Sequence, residues 1–164
     1  MKTRMGLRGR YDVEVIGLDG KVRARRVAYN DLTVVGVNEL LDVMFGGSAQ
    51  TDPWLILLID DSGFAGLANT DTMASHAGWT ENTDYDEATR EIWDEDAAAN
   101  EQMTNSTPAA FTMNAGVTIR GMGLTSVNTK GGATGILFST AEFDGGALAV
   151  LANEILRVTY TLTR

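Results

Sequence analysis

The sequence predicts a mainly β protein: a jelly-roll-like β-sandwich with one α-helix, about 34–45, and a long acidic loop region. Three observations lead there. At 155–163, Leu156, Val158, Tyr160 and Leu162 alternate with Arg157, Thr159, Thr161 and Thr163, the period-two pattern of a strand with one buried face. At 115–127, Val117 and Ile119 share one parity while Met122 and Leu124 take the other. A β-bulge at Gly121 or Gly123 would produce that change. Finally, Val37, Leu40, Leu41 and Met44 fall at i, i+3, i+4 and i+7, one apolar helical face.

Residues 1–9 show no core-forming periodicity and read as a basic N-terminal arm; residues 10–164 read as a single sandwich domain. Tyr11, Val13 and Val15 alternate with polar neighbours, and Asp19-Gly20 signals a two-residue hairpin turn. Pairing across that turn sets Glu14 opposite Arg25 and Val15 opposite Ala24. Asn30, Asp31 and Thr33 are candidate helix caps, and Gly46-Gly47 ends the helix. Its apolar face is expected to pack on the sheet. Trp54 to Ile59 is an apolar run after Pro53, too short to cross a membrane, and reads as a buried strand.

Residues 60–105 differ in kind. They hold twelve acids together with Phe64, Trp79, Tyr85 and Trp93. Asp71 to His76 suggests one capped helical turn, and residues 88–93 a short strand; the rest reads as irregular chain. A loop this long is expected to be functional or held in an interface. Strand character returns at 111–127, 135–141 and 153–163, punctuated by Lys130-Gly131-Gly132 and Asp144-Gly145-Gly146.

The chain has 164 residues and a net charge of −9, unevenly spread. Residues 1–26 hold eight Lys/Arg against three acids; the remainder holds five against nineteen. An acidic body argues against non-specific nucleic-acid binding, which draws its affinity from neutralising phosphates. A basic head on an acidic body suggests docking to an acidic surface, including that of a sister subunit. No apolar run is long enough for a membrane span, and no apolar stretch follows the basic N-terminus to make a cleaved signal.

The candidates for chemistry are few. There is no cysteine, and His76 is the one histidine, so a triad or a thiolate or histidine metal cluster has few building blocks. The acidic stretch offers carboxylate pairs with Trp79, Tyr85 and Trp93 as sugar platforms, but twelve acids supply pairs by chance. Asp84-x-Asp86-Glu87 and Asp94-Glu95-Asp96 are oxygen-rich without EF-hand spacing. Gly131-Gly132 is not in P-loop register. No cofactor or catalytic residue is expected.

The stretch Asp71-Thr72-Met73-Ala74-Ser75-His76-Ala77-Gly78-Trp79-Thr80-Glu81 carries a resemblance, with Tyr85, Arg90 and Trp93. So do Leu58-Ile59-Asp60-Asp61-Ser62-Gly63-Phe64, Ile119-Arg120-Gly121, Asn128-Thr129-Lys130-Gly131-Gly132 and Arg157-Val158-Thr159-Tyr160-Thr161. Over nearly its full length the chain resembles a family of small structural proteins encoded by tailed bacteriophages in virion gene clusters. The resemblance implies a non-enzymatic virion component, with capsid decoration (cement) the first slot by size, charge and β content. Tail, neck or head-fibre roles use the same chemistry, and a carbohydrate-binding module is the alternative from another class. A cement role implies the major capsid protein as partner, a homo-oligomer (often a trimer in such proteins), and a place on the virion surface after assembly in the host cytoplasm. Neither direct nucleic-acid nor membrane contact is expected. The candidate contact residues are Lys2, Arg4, Arg8 and Arg10 in the basic head and Trp79, Tyr85, Arg90 and Trp93 in the long loop. The three aromatics, and Arg90 through a local acid, are also expected to pin that loop to the body.

Overall fold

The computed structural model describes residues 6–164. In chain order, β1 (Arg8–Ile16) and β2 (Val22–Tyr29) form a hairpin, and β3 (Asp31–Leu32) leads into helix α1 (Val34–Leu41), extended by one π turn (Asp42–Gly46). There follow β4 (Leu55–Asp60), β5 (Glu81–Asn82), β6 (Glu91–Ile92), β7 (Gln102–Thr104) and β8 (Ala109–Thr112). The last are β9 (Val117–Thr125), β10 (Leu137–Glu142), β11 (Leu148–Val150) and β12 (Ile155–Thr163). Two antiparallel sheets result. In the five-stranded sheet the order is β2-β1-β12, with β8 on the first half of β12 and β7 on its last residues. In the seven-stranded sheet the order is β3-β10-β9-β4; β5 and β6 extend β4, and β11 pairs with β9. The chain crosses between sheets after β2, β6, β8 and β11, so it is a β-sandwich as the alternation predicts.

The core between the sheets takes the inward parity of each strand: Tyr11, Val13 and Val15 from β1, Ile56 and Leu58 from β4, Leu156, Val158 and Tyr160 from β12. Leu162 is only half-buried, because the sandwich opens at that end. The parity change in β9 is confirmed. Ile119 pairs with Asp60 and Gly121 with Ile59, which leaves Arg120 as the extra residue of a bulge. Gly121 is required there, since a Cβ would sit 2.1 Å from the Ala141 carbonyl oxygen.

In the hairpin, Glu14 faces Arg25 and Val15 faces Ala24, as predicted. The turn differs. Gly17 N–H donates to the Lys21 carbonyl (2.9 Å), and Gly20 takes a left-handed φ of 76°. That is a three-residue loop with a glycine at its left-handed position, and a bulge between Val15 and Ile16 absorbs the extra residue, Arg23. The bulge re-aims Arg23, whose Nε and Nη2 donate to Glu154 at 2.7 and 2.6 Å. Held by that guanidinium, and further by the Leu151 N–H, the Glu154 carboxyl lies below the usual carboxylate range.

Thr33 caps α1, its hydroxyl accepting from Gly36 N–H at 3.0 Å, and Gly47, at φ 77°, ends the π turn. The face turned to the sheet is not the expected one. Gly36 lies against the β10 backbone, where a Cβ would come within 2.2 Å of the Phe138 carbonyl oxygen. This contact rotates the apolar stripe sideways, so Leu41 is 50% exposed and Met44 64%. Leu41→Ala is therefore expected to cost under about 1 kcal/mol in a denaturant titration, not the ~2–5 kcal/mol of a buried leucine.

Residues 60–105 are mostly irregular, as expected, yet they are tied into both sheets. They supply β5 and β6 to one sheet and β7 to the other, and residues 88–93 contain only the two-residue β6. Asp71 to His76 forms no helical turn. Thr72 and Ser75 exchange backbone hydrogen bonds (2.9 and 3.2 Å) in a tight reversal. This segment builds a second core on the far side of the seven-stranded sheet: Leu57 and Ile59 of β4 meet Met73, Trp79 and Leu137, with Phe64 and Leu67 packed alongside. Strand β4 is thus buried on both faces, which explains its unbroken apolar run.

Candidate docking face

The two groups of candidate contact residues part company in the structure. Trp79, Tyr85, Arg90 and Trp93 are all buried and pin the long segment, as expected of them, but offer no surface to a partner. Trp79 Nε1 donates to Asp71 (2.9 Å), which also accepts from Ala68 N–H. Trp93 Nε1 donates to the Tyr160 carbonyl at 3.0 Å. Tyr85 meets Phe111 edge-on at 5.0 Å, with Lys130 Nζ 4.0 Å above its ring; burial pushes its phenol pKa up. Arg90 pairs bidentately with Glu81 (2.8 and 2.6 Å) and donates to the Val127 and Gly132 carbonyls. With both tryptophans inside, neither serves as a sugar platform.

His76 stacks on Trp79, ring centroids 3.9 Å apart, and its Nδ1 lies 3.0 Å from the Trp79 carbonyl, to which it can donate. Among the described residues, no group of three or more His, Asp or Glu is placed to hold a metal ion, and no helix is long and apolar enough to cross a membrane.

The basic group is surface. Lys2 and Arg4 lie outside the described residues. Arg8 and Arg10 belong to β1, so the arm is shorter than residues 1–9. The outward parity of the five-stranded sheet gathers them with two arginines that the contact set omitted. Strand register sets Glu14 between Arg25 and Arg157, Asp12 between Val27 and Thr159, and Arg10 between Tyr29 and Thr161; Arg8 faces Thr163. Arg8, Arg10, Arg25 and Arg157 are exposed. Arg25 reaches Glu14 at 2.9 Å and Arg10 reaches Asp12 at 2.6 Å; exposed pairs like these fix side-chain positions more than they stabilise. A shallow depression of about 310 Å³ lies between Arg25, Arg157 and Pro108. The signals for Arg25 and Arg157 were already present, in the hairpin register and in the alternation of β12; what joins them is the β1–β12 pairing, a contact between the two ends of the chain.

Residues 60–80 pack on the outer face of the other sheet, so among the described residues this arginine and threonine lattice is the uncovered broad face of the sandwich. It gathers four arginines, two of them paired with Asp12 and Glu14, on an acidic chain, with their spacing set by β pairing. The sequence matches no protein-family model and no curated protein.

Proposed function

We propose that the chain is a non-enzymatic virion structural protein of a tailed bacteriophage, a capsid decoration protein that reinforces the head by binding the major capsid protein as a homo-oligomer, with a trimer the first expectation. The family resemblance suggests the class. The observation that carries the contact is the Arg8, Arg10, Arg25 and Arg157 face on a chain of net charge −9. Complementary charge of this kind gives orientation and on-rate more than raw affinity, and salt screens it over about 8–10 Å.

The test is quantitative mass spectrometry of purified particles carrying wild type or the double variant Arg10→Glu, Arg157→Glu. Wild type is expected at hundreds of copies per head. The variant should melt within about 0.5–1 kcal/mol of wild type, as exposed substitutions do, yet lose most of its occupancy, and wild-type occupancy should fall with added salt. A handful of copies per particle would move the protein to a tail, neck or head-fibre position. Full occupancy of the variant would remove this face as the contact.

A further inference from the structure

Five of the exposed large apolar side chains among the described residues fall on α1 and its π turn: Val34, Leu40, Leu41, Met44 and Phe45. Phe45, 83% exposed, is the most open of them. Together they leave as much surface in water as about three fully exposed large side chains, on the order of 500 Å². Patches of that size are often functional. This one is also held in place. Gly36 seats the helix on the β10 backbone. The Gly47 and Ser48 N–H groups both donate to the Asp42 carbonyl, and the Thr51 hydroxyl donates to Glu39. Phe45 therefore stands on a closed turn, with little ordering left to be done on contact.

Area and charge select the occupant. A stable homomeric contact takes about 800 Å² from each partner, some two-thirds of it apolar, or roughly 500 Å². The patch matches that share. The chain carries no Lys or Arg from Val27 to Thr89, and Glu39 and Asp42 are the charged residues of α1 and its π turn. A face with acids and no cation is unsuited to the kind of acidic partner surface that the arginine face would meet, so the two faces serve different partners. A second copy of the chain offers an apolar patch of equal size.

We propose that α1 and its π turn are the surface through which copies of this chain associate, Met44 and Phe45 of one copy packing on the same patch of the next about a rotation axis. This rests on the homo-oligomer of the reading above and not on its capsid partner. None of the five apolar residues belongs to the arginine face, so both contacts can be made at once.

The experiment is sedimentation equilibrium of the full chain, without particles, over a range of protein and salt concentrations. Wild type should reach the mass of two or three copies. Met44→Gln with Phe45→Ser should weaken association by at least about 30-fold, the loss of an interface hot spot. Circular dichroism should stay unchanged, since both positions are exposed. The contact brings acids of both copies together, so added salt should leave association as tight or tighter, whereas it weakens the arginine face. The chain has no cysteine, so Leu41→Cys supplies a single thiol per copy. Mild oxidation should link it to its counterpart, while Asp19→Cys at the hairpin tip should stay unlinked. An oligomer that survives the double substitution would overturn the proposal. A wild type that is monomeric at every concentration would also overturn it; if the double variant then lost particle occupancy, the patch would belong to the capsid protein. Neither result bears on the arginine face, whose own test reads Arg10 and Arg157 on particles.

Discussion

Val158→Asp is expected to leave the protein largely unfolded at room temperature. Val158 is fully buried in β12, paired with Val13 of β1 on one side and Ala109 of β8 on the other. Its own carbonyl accepts from Asn105 Nδ2 at 3.2 Å, so its backbone has no freedom to turn the new side chain outward. An aspartate there faces Leu156 and Tyr160 on its own strand and the apolar residues of β4 and β9 across the core. The cost of a buried unpaired carboxylate is several kcal/mol, against a total stability of roughly 5–15 kcal/mol for a typical domain. Arg157→Asp, one residue away on the solvent face, is the control and should cost under about 1 kcal/mol. Melting curves of the two variants, measured together, test the sidedness of the strand; similar curves would mean that β12 has no buried face.

Arg90→Met is expected to cost about 3–5 kcal/mol, the usual price of stranding one member of a buried ion pair. The Arg90 side chain is wholly inaccessible and Glu81 nearly so. Without the guanidinium, Glu81 keeps one donor, Gly131 N–H at 2.9 Å, and the Val127 and Gly132 carbonyls lose theirs. The damage should concentrate where those groups lie, so limited proteolysis should cut near residues 81–91 and 127–132 before the rest of the chain. Arg90→Met combined with Glu81→Leu should recover much of the loss, because two apolar residues leave no orphaned charge. A double variant no better than the single would mean that the carbonyl contacts, rather than the ion pair, hold this region.

Much of the sandwich was legible because its signals are local. Alternation in β12, the β1–β2 register and the parity change in β9 each follow from residues within about ten positions of one another. The direction in which α1 faces was not legible. Val37, Leu40, Leu41 and Met44 make a persuasive stripe, yet a single glycine facing the β10 backbone sets the orientation, and periodicity assigns no weight to a residue without a side chain. The two-residue strand β5 was also out of reach, since a pair of residues carries no period; β6 lies within the short strand expected at 88–93 but is only two residues long. In the candidate contact set, aromatic and charged residues of the long segment look alike whether they face in or out. Burial of Arg90 depends on Glu81, nine residues away, and on two carbonyls some forty residues further along. The candidate docking face was half-visible: Arg8 and Arg10 stood out as a basic cluster, while Arg157 joined them only through pairing of β1 with β12.

The double burial of β4 has a consequence for how far the chain can be altered. Residues 60–80 look like an ornament that could be trimmed to a short connection. Removing them would strip Met73 and Trp79 from Leu57 and Ile59 and turn an interior strand into an open apolar wall. A Leu-Ile-Leu-Leu-Ile strand with one side wet has the composition that drives self-association and precipitation. Residues 60–80 are therefore also the protein's solubility device: they keep the apolar outer face of β4 out of water.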